Sequence, residues 1–314
     1  NAMTQPVAAI LADTLANHGV DCIYCVPGES FLPLTNALRD RPEIKLVVCR
    51  HEGGAGFMAV SHARVRGEPG VCLVSRGPGA MNAAIALHVA YHDAEPVVFL
   101  IGQAERDELN RLALQEMNYS KTFSDTAKAV IEVIHPENIA EDTARAFHIA
   151  QSGTPGPVAL ILPEDLLYGD CNAVAAQPRA KAAPGVAPKD MQAALALIRG
   201  AERPIVIAGR LHGEGLADLQ RFAESFNLPV ATPQRRFHTF DSKHKNAGGR
   251  LPNRANKALL DQLQTSDLVL VLGERMLPSM TQNFTFPKAP IADQPFIHVW
   301  PDAEEVGRAY SPTL

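Results

Sequence analysis

The sequence predicts an α/β protein made of two successive open parallel-sheet domains with helices on both faces. Two observations carry that expectation. Apolar runs of four to seven residues alternate with longer segments of helical period, the pattern of βαβ units around a parallel sheet. The pattern occurs twice, in two series separated by residues 170–189, where Ala, Pro and Gly dominate and no hydrophobic period survives. A chain of 314 residues, 46% hydrophobic and 20% charged, is long and apolar enough to give each series its own core.

Taken in order, residues 4–19 place Val7, Ile10, Leu11 and Leu15 at helical spacing and close on Asn17-His18-Gly19, a helix stop. Strands are expected at 22–26, 45–49, 71–75, 97–101 and 158–162, with helices at 31–39, 54–65, 80–92 and 139–152 between them. The first domain then spans 3–170, the linker 171–188 and the second domain 189–314. The second series reads as helix 190–200, strand 204–208, helix 215–226, strand 229–231, helix 256–265, and strands 268–272 and 296–300. Trp300 reads as core. Asn1-Ala2 ahead of Met3 reads as a remnant of tag cleavage and is set aside.

The formal net charge of -5, with no Lys/Arg cluster interleaved with aromatics, speaks against a nucleic-acid partner. The longest apolar stretches, such as Pro96–Ile101, fall short of the about 18–20 residues that span a bilayer, and no export signal is seen, so no membrane partner and a cytoplasmic location are expected. Five cysteines then read as cytosolic thiols rather than a disulfide framework. Cys22 and Cys25, three apart on a strand, should face opposite ways and so behave as ordinary thiols rather than a redox or zinc pair. His88 and His92 share a helix face, but no third ligand accompanies them, and no metal site is expected.

In an open parallel sheet the ligand crevice lies beyond the carboxyl ends of the strands, so the strand-to-helix junctions are where chemistry should sit. Three junctions stand out: Val26-Pro27-Gly28-Glu29-Ser30, Arg50-His51-Glu52-Gly53-Gly54, and Ser75-Arg76-Gly77-Pro78-Gly79-Ala80-Met81-Asn82. Each has a plain structural reading by itself. Glu52 suits a helix cap, where the dipole favours a carboxylate by about 0.3–1 kcal/mol. The glycines suit tight turns, and Pro27-Gly28 is a common turn pair.

All three in this order, on successive βα units, resemble thiamine diphosphate enzymes of the acetolactate synthase, benzoylformate decarboxylase and pyruvate decarboxylase group. Residues 4–170 resemble their pyrimidine-binding domain and residues 189–314 their central domain, an α/β unit related to NAD- and FAD-binding folds. Further matches are Ala90-Tyr91-His92-Asp93-Ala94-Glu95-Pro96, Leu114-Gln115-Glu116 and Ser152-Gly153-Thr154-Pro155-Gly156-Pro157-Val158.

The resemblance implies roles. Glu52 would hydrogen-bond N1′ of the cofactor's aminopyrimidine and favour the imino form that takes the proton from thiazolium C2, a task that calls for a partly dry setting. Pro27, Gly28, Gly77, Pro78, Gly79 and Asn82 would line the cofactor, and Gln115 would face thiazolium and substrate. Glu29 reads equally as a substrate-side proton donor and as a turn carboxylate capping the following helix. Arg76 departs from the small residue of the group; it reads equally as reaching a substrate carboxylate and as pointing to solvent.

The group binds the diphosphate through Mg²⁺ in a third, C-terminal domain marked by Gly-Asp-Gly and a later Asn. No such stretch occurs here; Gly169-Asp170-Cys171 lacks the second glycine. The chain is therefore expected to be two domains of three and inactive alone. In acetolactate synthases the central domain holds FAD. Residues 208–213 and 232–237 depart from that pattern, which speaks against FAD. The expected activity of the whole protein is a lyase or carboligase acting on short 2-oxo acids, acetolactate synthase-like, as a homodimer or homotetramer. A 2-oxo acid decarboxylase is the alternative, and a non-catalytic nucleotide-binding or regulatory module is the alternative of another class.

Overall fold

A computed structural model describes residues 4–181 and 184–314. The tag remnant, the expected domain start at Met3 and two residues of the expected linker lie outside the described residues. The described residues divide into two compact units, one on either side of residues 182–183.

The first unit runs β1 (Gln5–Pro6), α1 (Val7–Asn17), β2 (Cys22–Cys25), α2 (Leu32–Arg39), β3 (Lys45–Val48), α3 (Glu52–Arg66), β4 (Gly70–Val74), α4 (Gly77–His92), β5 (Val97–Gln103), α5 (Tyr119–Thr122), β6 (Ala129–Glu132), α6 (Ile139–Gln151), β7 (Pro157–Pro163), α7 (Glu164–Tyr168) and β8 (Asp170–Cys171). Six strands form one sheet in the order β3-β2-β4-β5-β7-β6, every pair parallel. The central strands β4, β5 and β7 are buried along their whole length, as strands covered on both faces must be. Alternate residues serve alternate faces. Ile23, Leu73, Leu100 and Leu160 meet α1, α2 and α6 through Leu11, Leu34 and Phe147. Cys72, Phe99 and Ile161 meet the alanine-rich faces of α3 and α4 through Ala59, Ala83 and Leu87. Because β3 and β4 lie on opposite sides of β2, the strand order reverses there, which opens a crevice at the carboxyl ends of β2 and β4.

The second unit comprises α8 (Pro188–Gly200), β9 (Pro204–Ala208), α9 (Glu214–Phe226), β10 (Val230–Pro233), β11 (Ala247–Leu251), α10 (Lys257–Thr265), β12 (Leu268–Leu272), β13 (Phe296–Val299) and α11 (Ala303–Val306). Its five-stranded parallel sheet has the order β11-β10-β9-β12-β13. Ile198, Leu219 and Ala223 cover one face, Leu259, Leu263 and Met276 the other.

Both sheets are parallel with helices on both faces, as the sequence predicts. Several particulars differ. The first helix starts at Val7 rather than residue 4, because Gln5 and Pro6 pair antiparallel with Cys171 and Asp170. That pairing also takes the start of the expected linker into the first unit. Cys171 is buried in its core, and the Ala176 amide donates to Thr14 Oγ1 at 3.2 Å. The sequence reading missed two edge strands, β6 and β11. The latter, Ala-Gly-Gly-Arg-Leu, carries the glycines of a loop yet pairs with β10. Trp300 is half-buried rather than core. Cys22 and Cys25 do face opposite ways, half-buried and buried respectively, and all five cysteines are free. The rings of His88 and His92 meet tilted, their centroids 4.5 Å apart, and the described residues hold no group of three or more potential metal ligands. No helix among the described residues is long and apolar enough to cross a membrane.

Candidate active site

The three junctions meet at the carboxyl edge of the first sheet. After β2, Pro27 is exposed and Gly28 continues extended at φ -150°, so its conformation does not require glycine. Its neighbour does: a Cβ on Gly28 would stand 2.5 Å from Ser75 Cβ. That closeness lets Ser30 Oγ and Ser75 Oγ hydrogen-bond at 3.0 Å across the crevice, tying the β2 and β4 junctions together.

Glu52 is the first residue of α3, two residues before the expected helix start. The cap is its predecessor: His51 Nδ1 accepts from the Gly53 amide at 3.0 Å. The capping role that Glu52 could have filled is therefore taken, and its half-buried carboxylate turns toward α4. Asn82 Nδ2 donates to Glu52 Oε2 at 2.9 Å, and Oε1 lies 3.5 Å from where a Cβ on Gly79 would stand. Helix α4 starts at Gly77 rather than residue 80, because Pro78 in its first turn has no amide to leave unsatisfied. Gly79 is thus a first-turn residue with a bare backbone opposite Glu52. One carboxylate oxygen is fixed by an amide, and the other faces the bare backbone of Gly79.

Gln115 is brought to the same rim by its backbone. At φ 60° it turns its carbonyl onto the Gly77 amide, 3.0 Å away, while the residue stays exposed. Glu116 holds this loop by accepting from the Asn110 and Ala113 amides at 3.0 and 2.8 Å.

Arg76 does not point to solvent. Its side chain is 9% exposed and is paired with Glu164 and, at 3.3 Å, with Glu29. Glu29 sits in a short 3₁₀ turn, where neither that turn nor α2 takes a side-chain cap, so Glu29 is engaged with Arg76 instead of capping. The sequence reading missed Glu164. Its signal was an acid directly after the last strand, at the same sheet edge as the other junctions.

The structure thus gathers Glu52, Gly79 and Asn82 into one group and Glu29, Arg76 and Glu164 into a second. Gly77 carries Gln115 on the rim beside them, and Pro27 and Gly28 stand at the mouth. The residues present fit an aminopyrimidine, which needs one carboxylate oxygen and a close approach to backbone that carries no Cβ.

Two family models match the chain. Residues 5–122 match the thiamine pyrophosphate enzyme N-terminal TPP binding domain, and residues 191–314 match the thiamine pyrophosphate enzyme central domain. The chain belongs to the thiamine pyrophosphate enzyme family. It carries the N-terminal and central domains of that family and is homologous to acetolactate synthase large subunits over about half their length. It is 33% identical over 305 residues to an acetolactate synthase of Mycobacterium bovis, covering 94% of this chain and 48% of that protein. With the acetolactate synthase isozyme 1 large subunit of Escherichia coli K12 the identity is 31% over 310 residues, covering 97% and 54%. The probable acetolactate synthase large subunit of Methanocaldococcus jannaschii is 31% identical over 312 residues, covering 96% and 52%. The chain therefore spans about half the length of the curated relatives it matches.

Proposed function

We propose that this chain supplies the aminopyrimidine half of a thiamine diphosphate site in an acetolactate synthase-like lyase or carboligase acting on short 2-oxo acids. The observation that carries the reading is the Glu52 carboxylate, relieved of capping by His51, held on one oxygen by Asn82 and open on the other toward Gly79. Bound there, thiamine diphosphate would supply a nucleophilic thiazolium carbon and an electron sink. Glu52 would hold a proton at N1′, Asn82 would keep the carboxylate turned toward the ring, and Gly77, Pro78 and Gly79 would let the ring approach. Gln115 and Glu29, on the rim, would face the substrate. The diphosphate and its Mg²⁺ belong, on this reading, to a further domain of the whole protein.

A homodimer accompanies the reading. Phe57, Met58 and Val65 on α3 and Met81 and Ile85 on α4 are exposed, an apolar face on the very helices that begin at Glu52 and Gly77. On this reading the central unit does not take FAD. At the carboxyl ends of β9 and β12, a Cβ on Gly209 would meet Glu274 Cβ at 2.5 Å, Glu274 is itself buried, and Thr239 Oγ1 donates to the Gly209 carbonyl at 2.8 Å. Glu274 is paired there with the buried Arg236 at 3.6 Å, so an ion pair occupies the place where a dinucleotide's diphosphate would approach.

The test is Glu52→Gln in the full-length protein, followed by hydrogen–deuterium exchange at thiazolium C2. Exchange should fall by two orders of magnitude or more, about the span of general acid–base catalysis, with circular dichroism unchanged. Near-normal exchange would overturn the assignment.

A further inference from the structure

Arg76 stands at the junction between β4 and α4, and its surroundings are uneven. The buried guanidinium faces two carboxylates, so the group as a whole carries one excess negative charge. Glu164 lies inward, its side chain 17% exposed, where β7 ends. Glu29 lies outward, its side chain 61% exposed, and meets Nη1 at 3.3 Å. Nε is buried without a hydrogen-bond partner, so the guanidinium is held short of full satisfaction. One cation cannot serve two acids equally. The inner pair is shielded from water and holds the arginine in place, whereas the outer one is solvated and contributes little. An exposed glutamate can leave such a contact by rotating its side chain into water. Arg76 also directly precedes Gly77, which lies two residues before the Gly79 that faces Glu52.

We propose that Arg76 is a subsite for the carboxylate of the substrate, and that Glu29 is a built-in stand-in which a small monocarboxylate displaces from Nη1. This rests on the 2-oxo acid reading above. It assigns Glu164 the role of a positioning residue that keeps the buried guanidinium in place beneath Glu29, and it makes Glu29 the residue that sets how weakly a carboxylate is held. The ligand class is a short 2-oxo acid presenting a planar carboxylate, which suits a guanidinium edge better than an ammonium.

The test uses sodium pyruvate and its neutral amide as probes, titrated into ¹⁵N-arginine-labelled protein and followed at the Arg76 Nε–H resonance. Pyruvate should move the resonance and pyruvamide should not. Glu29→Gln should tighten pyruvate binding roughly fivefold, the scale on which an exposed ion pair competes. The double variant Arg76→Gln/Glu164→Gln, which leaves no lone buried charge and so should fold, should abolish it. Equal response to acid and amide, unchanged or weaker binding by Glu29→Gln, or retained binding by the double variant would each overturn the proposal. The thiamine reading fails separately, through C2 exchange that does not depend on Glu52.

Discussion

Arg64→Met tests what holds the helix pair that presents Glu52 and Gly79. Arg64, near the carboxyl end of α3, reaches Asp93 at 2.6 Å and Glu95 at 2.9 Å, both just past the end of α4. The side chains of Asp93 and Glu95 are 6% and 0% exposed, and that of Arg64 is 20% exposed. Methionine keeps most of the apolar stem but leaves two buried carboxylates without this cation. Removing one partner of a fully buried pair costs about 3–5 kcal/mol. The partial exposure of Arg64 lets water reach the vacated place, so the lower end applies, about 3 kcal/mol. For a unit of this size that amounts to a fall in Tm of roughly 6–12 °C. Differential scanning calorimetry, following the transition of the first unit, reads it directly. Adding Asp93→Asn and Glu95→Gln to Arg64→Met should restore more than half of the loss, because the penalty lies in the buried charges that lose this cation and not in the missing contact. A loss below about 1 kcal/mol, or a triple variant less stable than Arg64→Met alone, would refute the reasoning.

Asn82→Ala should lower C2 proton exchange about tenfold while leaving Glu52 in place, since one charge-assisted hydrogen bond at an exposed position is lost; unchanged exchange would remove Asn82 from the site. Burial pushes the Cys25 thiol up to about 11 and raises Cys72 further, so both stay protonated in the fold above the pH at which an unfolded thiol ionises. The unfolded state then binds fewer protons, and stability should fall as pH rises from about 9 toward 11, a decline that Cys25→Ala/Cys72→Ala should flatten in pH-dependent denaturant titrations. Burial lowers His298, with its hydrogen bond to the Glu274 carbonyl at 2.9 Å opposing the shift. The second unit should therefore keep this stability above about pH 6.5 and lose it as pH falls below that value; a His298→Asn variant with the same acid profile would refute this.

Why some of this was legible in the sequence and some was not follows from how far apart the partners lie. The junctions at Gly28, Glu52 and Gly77 announce themselves because strand ends, glycines and helix starts are local events, each fixed by residues within one turn. The sheet was legible for the same reason: β4, β5 and β7 are unbroken apolar runs. The direction of Arg76 is set by Glu164, 88 residues away, so no local pattern distinguishes an inward arginine from an outward one. Likewise β1 exists only because residues 170–171 return to pair with it, and β11 only because β10 offers an edge to a glycine-rich stretch. Glu52 lies between these cases. Its position at a helix start was readable, but its freedom from capping depended on the orientation of the His51 ring, and its aim on an amide contributed by the next helix. The same division appears in the proposed chemistry. Local sequence places the acid that would meet the pyrimidine, whereas contacts distant in sequence decide which of the neighbouring charges is left for a substrate.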